Sequence, residues 1–551
     1  MDGMGHGDRY AFSINGGPPR PDPASRFQPD DVHAASQIVD SGTFQFAESS
    51  WKGISKRDLV IYEMHLGSFT TEGTYSAAAR RLDRLVELGI TAVELMPLAQ
   101  APGRWNWGYD GVNLFAPRNT YGTPEELAQF VDACHSRNLA VLLDVVYNHL
   151  GPEGNYLREF APYFSSKYPT PWGEALDFES EDGQNVREYI LQNVEHWLCD
   201  YRFDGLRLDA IHFLFDNSPT HILQDIRKLV TQLQQRTGRT LHLIGEANVF
   251  DETLLTGSDD DHDAIWCDCL MHSVYAQAKP GLQLTNRKYN GENELAEVLK
   301  HGYLYQAEDG RPRRTTEQDR MQAKHPASVY ESFIVGLQTH DSVGNHPQGK
   351  RLHQLTSLDY QRAAAPLALL SPGIPQIFMG EEVAADCPFP FFVDFSDPNL
   401  QAAVEKGRAA EYPDQPDTML PPTAPETYHA SKCDDPRTHN PEMFLWYQRL
   451  LALRTAARRA GVLEHKNMHT EVHLDQQVFE VQYNQGTQFI RVTCRLSRPH
   501  AFESHPAGDT FPLSIPADAT TVLCSKSSIR EPGTTAELSP IHAIVVSNLN
   551  A

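Results

Sequence analysis

Cysteine is scarce in this chain, with 8 cysteines among 551 residues. Six of them have no second cysteine nearby in the sequence: Cys134, Cys199, Cys387, Cys433, Cys494 and Cys524. We therefore expect no disulfide framework. The other two, Cys267 and Cys269, are one residue apart, but no further Cys or His pair follows at the spacing of a zinc finger. The sequence thus predicts no metal site.

Long apolar runs and positive charge are lacking as well. No run is long enough to cross a bilayer, and residues 1–12 contain no basic stretch followed by an apolar core. The 47 Lys and Arg against 72 Asp and Glu give a formal net charge of −25, which would repel nucleic acid and anionic membranes. We therefore expect a cytoplasmic protein with a neutral substrate, no cofactor, and no nucleic-acid or membrane partner. The sequence carries no signal for an oligomeric state.

The composition is that of a folded globular protein. Apolar residues make up 40% of the chain and charged residues 22%. A chain of 551 residues exceeds what one hydrophobic core usually serves. We therefore expect one large domain and one or two smaller ones.

From residue 59 the chain repeats a unit of a short apolar strand, a polar or glycine-rich stretch and a helical pattern. Helical periodicity is clear at 75–88, 124–137, 186–200 and 222–235. Eight strands are predicted, at 59–64, 91–95, 140–146, 205–209, 241–246, 264–268, 333–339 and 375–379. Strands that alternate with helices favour parallel pairing, so the fold class is α/β and eight units predict a (β/α)₈ TIM barrel. A doubly wound sheet is the alternative, but the glycine fingerprint of its dinucleotide-binding form is missing.

Three further regions surround the predicted barrel. Residues 150–184 are too long for an ordinary connection and read as a subdomain inserted after the third strand. Alternating stretches after a final helix at 442–458 predict an antiparallel β-sandwich. We therefore divide the chain into an N-terminal lead-in with one strand at 9–14, a barrel and a C-terminal domain, with bounds 1–55, 56–460 and 461–551.

Acidic side chains follow several of the predicted strands at the end where barrel enzymes react. Arg207 and Asp209 are two residues apart in a strand, so both side chains leave on one face and the guanidinium should keep the carboxylate ionised. Glu246 follows the apolar residues 243–245, an approach that should raise its pKa. Asp341 follows the seventh strand. Two carboxylates about 5 Å apart can cleave a glycosidic bond with retention, and a third can stabilise the charge that develops on the sugar.

Four segments resemble the signature regions of the α-amylase superfamily of glycoside hydrolases in order and spacing: residues 144–149 (DVVYNH), 205–212 (GLRLDAIH), 244–248 (IGEAN) and 339–345 (THDSVGN). Within the superfamily, the chain is similar to the maltooligosyltrehalose trehalohydrolase family. The stretches that carry this likeness are 20–29, 106–111, 151–156 and 378–382.

The resemblance implies an enzyme that cleaves the α-1,4 bond next to the terminal trehalose of maltooligosyltrehalose or a related α-glucan. It makes Asp209 the nucleophile, Glu246 the proton donor and Asp341 the transition-state stabiliser. The residues expected to contact the sugar are Tyr109, His149, Arg207, His212, His340 and Glu381, with Glu382 and the aromatic run 388–392 as further candidates on the leaving-group side. Asp144 is expected to order the loop after the third strand.

The chain departs from the family pattern in several places. Asn248 stands where an acidic residue is usual, Thr339 where an Asn is usual, and 266–272 differs around the sixth strand. Of the N-terminal β-sandwich of the family, only the last strand is expected here. These departures leave the leaving-group preference open, so a branching enzyme and a general α-1,4-glucan hydrolase are alternatives. A non-catalytic glucan-binding homologue is a further alternative, against which the retention of all three carboxylates argues.

Overall fold

The computed structural model describes residues 3–247, 255, 262–279, 291–304, 329–412, 419–433, 439–497, 510–526 and 531–549. Its centre is a closed barrel of eight parallel strands that neighbour one another in chain order. We label them β1 Ile61–Met64, β2 Ala92–Leu95, β3 Ala140–Val145, β4 Gly205–Leu208, β5 His242–Glu246, β6 Ala264–Trp266, β7 Phe333–Gly336 and β8 Ile374–Phe378. The predicted α/β barrel is confirmed, and each of the eight strands lies where its apolar run predicted it.

Helices follow most of the barrel strands and cover its outer face. The α-helices within the described ranges are Leu66–Phe69, Tyr75–Ala79, Leu82–Leu88, Pro124–His135, Leu157–Phe160, Gly183–Glu195, Ile222–Thr237, Cys269–Ala278, Glu292–His301, His340–Gly344, Leu352–Leu355, Leu358–Leu369, Pro398–Glu411, Pro425–Ala430 and Pro441–Arg459. Short 3₁₀ turns lie at Ser41–Thr43, Lys56–Asp58, Asn119–Tyr121, Ile211–Phe213, Tyr330–Ser332, Glu381–Val383, His465–Asn467 and Leu474–Gln476.

The ends of these helices have local causes. The helix Pro124–His135 begins at a capping box in which Thr123 accepts the backbone N–H of Glu126, and proline occupies its first position. The helix Ile222–Thr237 ends at Gly238, whose φ of +63° is left-handed. One predicted helix, 75–88, is two helices in the structure, and another, 186–200, changes from α to π geometry at His196.

The insertion after β3 contains an antiparallel ribbon. Its strands are Phe164–Thr170 and Gly173–Leu176, joined by a tight turn that carries Trp172. Trp172 is 50% exposed, an unusual position for so large an apolar side chain. The ribbon therefore presents an aromatic ring at its tip.

The C-terminal part contains a five-stranded antiparallel sheet in the order Met468–His473, Val478–Gln485, Gln488–Leu496, Ile541–Ser547 and Thr521–Cys524. A two-stranded sheet, Phe511–Ser514 with Thr535–Leu538, packs on it through Leu513, Ile515 and Leu538. The predicted antiparallel β domain is confirmed. The remaining strands are Arg9–Tyr10 with Ser36–Gln37, Phe12–Ser13 with Pro19–Arg20, and Ala99–Gln100 with Asn113–Pro117. The single strand expected at 9–14 is therefore two short ones.

One cysteine pair departs from the expectation of isolated thiols. Cys387 and Cys433, 46 residues apart in the sequence, form a disulfide. The six other cysteines form no disulfide, and Cys267 and Cys269 are both buried. A single disulfide does not make a framework, but two of the cysteines that the sequence left without partners are bonded to each other.

The inside of the barrel has two layers of different character. We call the first the apolar layer; it lies at the start of the strands and includes Ile61, Ala92, Leu142, Ile244, Ala264, Ile334 and Ile374. Side chains two residues further on share the same face of each strand. They form the second, polar layer: Glu63, Glu94, Asp144, Glu246, Trp266 and Gln376, joined by Arg207 of β4. No helix in the described ranges is both long enough and apolar enough to cross a membrane.

Candidate active site

Arg207 lies at the centre of the polar layer and is fully buried. Its Nη1 donates to both oxygens of Asp144 at 2.9 Å and to Oδ1 of Asp209 at 2.8 Å. Burial disfavours the charge of Arg207, but the carboxylates of Asp144 and Glu246 outweigh it and hold its pKa well above the usual range. A permanent positive charge therefore lies against the carboxylates of β3, β4 and β5.

Asp209 follows β4 and is held by two donors. Besides Arg207, Asn148 donates its Nδ2 to Oδ2 of Asp209 at 2.8 Å and to the backbone carbonyl at 2.9 Å. The side chain of Asp209 is 12% exposed, so it is fixed in direction yet open on one side. A carboxylate held by two donors in this way is aimed in one direction, as a nucleophile must be.

Glu246 ends β5 and faces the same guanidinium. Its Oε2 lies 3.3 Å from Nη2 of Arg207 and accepts the backbone N–H of Ala210 at 2.7 Å. Burial raises the pKa of Glu246, Arg207 lowers it, and the charges of Asp209 and Asp341 raise it again, to about 7. A carboxyl group with this pKa holds a proton near neutral pH and can release it.

Asp341 enters the cleft from the far side. It lies in the helix His340–Gly344, which Thr339 caps through the backbone N–H of Ser342. Its Oδ1 is 3.5 Å from Nε2 of His340, and its side chain is 45% exposed. Its charge acts on both Glu246 and Tyr109. The three predicted carboxylates thus face one cleft, and two of them contact the same arginine.

Two predicted sugar contacts, Tyr109 and His340, lie side by side beneath this cleft. The hydroxyl of Tyr109 donates to Oδ2 of Asp144 at 2.7 Å and is 2.8 Å from Nε2 of His340. The two rings stack with centroids 5.2 Å apart. The Arg207 guanidinium lies over the ring of Trp266 on β6, with Cζ 4.3 Å from the ring centroid.

His149 and His212 lie toward the inserted ribbon. Nε2 of His149 is 3.0 Å from the carbonyl oxygen of Tyr109, and its ring stacks on Trp172 with centroids 5.1 Å apart. His212 contacts Phe213, whose ring is 5.1 Å from that of Trp172. The tip of the ribbon therefore packs against these two histidine regions of the site.

Glu381 is not part of this group. Its buried carboxylate accepts the hydroxyl of Tyr447 at 2.9 Å, and burial raises its pKa to about 8. Glu382 is likewise buried, 3.3 Å from the hydroxyl of Tyr62. In the aromatic run, Phe389 stacks on Trp107, and Trp107 contacts His340. Phe389 therefore supports the cleft through Trp107. The sequence predicted that Glu381 contacts the sugar, but the structure places its carboxylate against Tyr447 instead.

The sequence-based prediction missed three residues of this cleft: Glu63, Asn148 and Trp172. Glu63 interacts with His340 through both carboxylate oxygens, and Glu94 lies beside it on β2. For Glu63 a signal was present, because it interrupts a short buried strand near its C-terminal end, where a charge is costly without a task. Asn248, a departure noted in the sequence, lies outside the described residues.

No group of three or more His, Cys, Asp or Glu is arranged to hold a metal ion in the described ranges. The site instead consists of carboxylates, three histidines, one arginine and aromatic rings. This set can polarise and cleave a bond between neutral sugars by proton transfer and nucleophilic attack.

Comparison with known proteins agrees with this chemistry. The family model described as alpha amylase, catalytic domain, matches residues 43–171. The malto-oligosyltrehalose trehalohydrolase of Saccharolobus solfataricus is 39% identical over 461 residues, which are 82% of this chain and 78% of that protein. The protein of the same name from Rhizobium sp. is 34% identical over 98% of this chain and 89% of its own length.

Solved structures give the same picture. A Salmonella typhimurium protein, provisionally described as an alpha amylase, has a TM-score of 0.85 and 33% identity and covers 99% of this chain and 91% of its own. A pullulanase from Anoxybacillus sp. in complex with maltotetraose has a TM-score of 0.67 at 19% identity, covering 96% of this chain and 77% of its own. The second likeness concerns the fold alone.

Proposed function

Since the chain belongs to the malto-oligosyltrehalose trehalohydrolase family of α-amylase-type glycoside hydrolases, we propose that it releases trehalose from maltooligosyltrehalose. The bond hydrolysed is the α-1,4-glucosidic bond next to the terminal trehalose unit. The observation that carries this proposal is the shared contact of Asp209 and Glu246 with one buried guanidinium, at 2.8 and 3.3 Å. Carboxylates brought so close fit hydrolysis with retention better than inversion, which needs a wider gap for water.

In the first step, Asp209 attacks the anomeric carbon while the bond from that carbon to the leaving oxygen breaks. Glu246 gives its proton to that oxygen, and trehalose departs. In the second step, Glu246 takes a proton from a water molecule, whose oxygen attacks the same carbon and releases Asp209. The carboxylate of Asp341 stabilises the positive charge that develops on the sugar ring in each step and then decays.

The electrostatics of the cleft support this exchange of roles by Glu246. The charge of Asp209 is among the causes that raise the pKa of Glu246 to about 7. When Asp209 is esterified by the sugar, that charge is gone, and the pKa of Glu246 falls. The group that was an acid in the first step is then a carboxylate, ready to serve as the base in the second.

Aromatic and imidazole groups fit the sugar that is cleaved. We assign Tyr109 as a platform beneath it and His149, His340 and Arg207 as hydrogen-bond partners of its hydroxyl groups. His212 and Trp172 lie on the ribbon side and fit the leaving group. The exposed ring of Trp172 offers the flat apolar surface on which sugar C–H groups pack.

Product analysis tests the proposal. The purified protein is incubated with maltooligosyltrehalose and, in parallel, with maltopentaose, and the released sugars are identified. Trehalose from the first substrate, with little cleavage of the second, supports the proposal. Maltose from both identifies a general glucan hydrolase, new α-1,6 branches a branching enzyme, and binding measured by calorimetry without cleavage a non-catalytic homologue.

We also propose that the protein acts in the cytoplasm on a neutral oligosaccharide. A formal charge of −25 is unsuited to contact with nucleic acid or anionic lipid. The proposal fits an uncharged substrate, because the negative electrostatic field of the protein does not hinder its approach.

A further inference from the structure

Glu63 of β1 interacts with a single residue, His340, through both oxygens of its carboxylate. Oε2 accepts the backbone N–H of His340 at 3.1 Å, and Oε1 pairs with Nδ1 of the imidazole. Both side chains are about 2% exposed. A buried carboxylate that meets both the backbone and the ring of one histidine fixes the position and the rotamer of that ring.

This pairing also decides which nitrogen of His340 serves the cleft. With Nδ1–H directed at Glu63, Nε2 faces the Tyr109 hydroxyl at 2.8 Å and Oδ1 of Asp341 at 3.5 Å. Tyr109 in turn donates to Asp144, which shares Arg207 with Asp209. A continuous chain of polar contacts therefore runs from Glu63 on β1 to the proposed nucleophile after β4.

The charge state of His340 follows from its surroundings. Burial lowers its pKa, but the carboxylates of Asp341 and Glu63 outweigh burial and raise it to about 9, with Arg207 opposing them. The ionisable groups that face it from the packed elements are Glu63, Glu94, Asp144, Arg207, Tyr109, Asp341 and His65. His340 is thus an imidazolium at neutral pH.

Glu94 provides a contrast on the adjacent strand. It lies beside Glu63 in the register of β1 and β2 and is equally buried. Yet its Oε2 has no hydrogen-bond partner. Burial and the carboxylates of Glu63 and Asp144 hold the pKa of Glu94 well above its usual range. Of the two neighbouring glutamates, Glu63 is the one whose carboxylate contacts both the backbone and the ring of His340.

We propose that Glu63 is a positioning residue of the reaction. Its carboxylate keeps His340 protonated and fixed against Tyr109 and Asp341, and thereby orients the two rings that lie beneath the sugar. The proposal rests on the proposed function, since it assigns a task within that reaction. Glu63 itself lies beneath His340 and acts through it.

The test compares Glu63→Gln with Glu94→Gln, two isosteric changes on neighbouring strands. The kcat and KM for maltooligosyltrehalose are measured for both variants and the wild type. A hydrogen bond to a charged group contributes about 1.5–3 kcal/mol, or roughly 10- to 100-fold. We expect kcat/KM at neutral pH to fall by about that factor in Glu63→Gln and by less than about threefold in Glu94→Gln. Equal effects in the two variants would overturn the proposal.

A second measurement follows the charge of His340 by itself. In a Glu246→Gln background, which cannot hydrolyse, the affinity for maltooligosyltrehalose is measured from pH 6 to pH 10, a range set to bracket the pKa of about 9 for His340. A raised pKa keeps the imidazolium below that value and loses it as the pH rises through it. We expect the affinity to fall near that pH, and to fall at least about one pH unit lower when Glu63→Gln is added. An unchanged midpoint contradicts the proposal.

The outcomes separate the two proposals. If the wild type releases no trehalose, the proposed function fails, whatever Glu63 does. If it does release trehalose but Glu63→Gln matches Glu94→Gln in both measurements, only the role of Glu63 fails. Thermal unfolding of each variant controls for folding. Should Glu63→Gln not fold, Glu63→Asp replaces it: retention of the wild-type midpoint supports a role of the charge, and the midpoint expected of Glu63→Gln opposes it.

Discussion

The apolar and polar layers of the barrel are built by the same strands, one pleat apart, and differ in nearly every physical respect. On β1, Ile61 packs among aliphatic side chains, while Glu63 two residues later pairs with a histidine. On β5, Ile244 and Glu246 repeat the contrast. The layer at the start of the strands supplies buried apolar area and holds the barrel closed. The layer at their ends carries buried charge, which costs stability and is suited to chemistry.

The largest effect should come from the polar layer. Asp209→Asn removes the attacking oxygen but keeps the shape, so we expect kcat to fall by about 10⁴-fold or more, judged by the loss of a nucleophile in other hydrolases. Arg207 retains Asp144 as a partner, so the unfolding temperature should change little. Steady-state kinetics and thermal unfolding measure both. As a control, Asp200→Asn, in an ion pair with Arg26 outside the cleft, should retain activity. Near-wild-type turnover of Asp209→Asn would contradict the assignment.

The apolar layer should respond in the opposite way. Ile334→Ala leaves a cavity among the side chains at the start of the strands, and we expect it to lower the free energy of unfolding by about 2–5 kcal/mol. Activity at 25 °C should stay within a few-fold, because the strand partners of Ile334 are Trp266 and Ile374 and not the carboxylates of the polar layer. Denaturant unfolding followed by kinetics of the folded variant checks this. A loss of activity without a loss of stability would show that the two layers are not separable.

The pH dependence offers a sharper view of the polar layer. Glu246 must hold a proton to act as an acid, and burial together with neighbouring charges raises its pKa to about 7. The acid is therefore present below this pH and is lost above it. We expect kcat/KM to fall tenfold per pH unit on the alkaline side. If kcat/KM stays constant up to pH 9, Glu246 is not the acid of the reaction.

The smallest effect should come from the rim, which belongs to neither layer. Trp172→Ala removes a half-exposed ring that stacks on His149. An aromatic contact of this kind contributes about 0.5–1.5 kcal/mol, so KM should rise about 2- to 12-fold with kcat nearly unchanged. Tyr168→Ala, on the same ribbon but stacked on Phe215, is the matched control and should leave KM unaltered. Equal effects from the two rings would indicate that the ribbon is only a structural wall.

Much of the barrel could be predicted because its signal is local. A buried parallel strand is a short apolar run, and all eight runs became strands, with ends shifted by a few residues. The catalytic candidates were predictable for the same reason. Arg207 and Asp209 share a face by simple alternation, and strand ends meet at one rim whatever the loops do.

What could not be predicted depends on contacts between distant parts of the chain. Glu381 follows β8 as a site residue would, yet Gly380, with φ of +82°, turns the chain so that the carboxylate meets Tyr447, 66 residues later. The Cys387–Cys433 bond likewise spans 46 residues with no local pattern. The role of Glu63 depends on its distance from His340, which lies 277 residues away. The alternation of side chains along one strand carries no information about which side chain faces them from a distant strand of the barrel.

The turn after β4 has one more consequence. Ala210 adopts a left-handed φ of +41° and donates its backbone N–H to Oε2 of Glu246, the oxygen that also faces Arg207. The N–H of Ala210 and the nearby positive charge of Arg207 both disfavour a proton on Oε2, so we expect the transferable proton on Oε1. The geometry of one peptide group thereby selects the atom from which protonation proceeds, and with it the side from which the departing oxygen must approach.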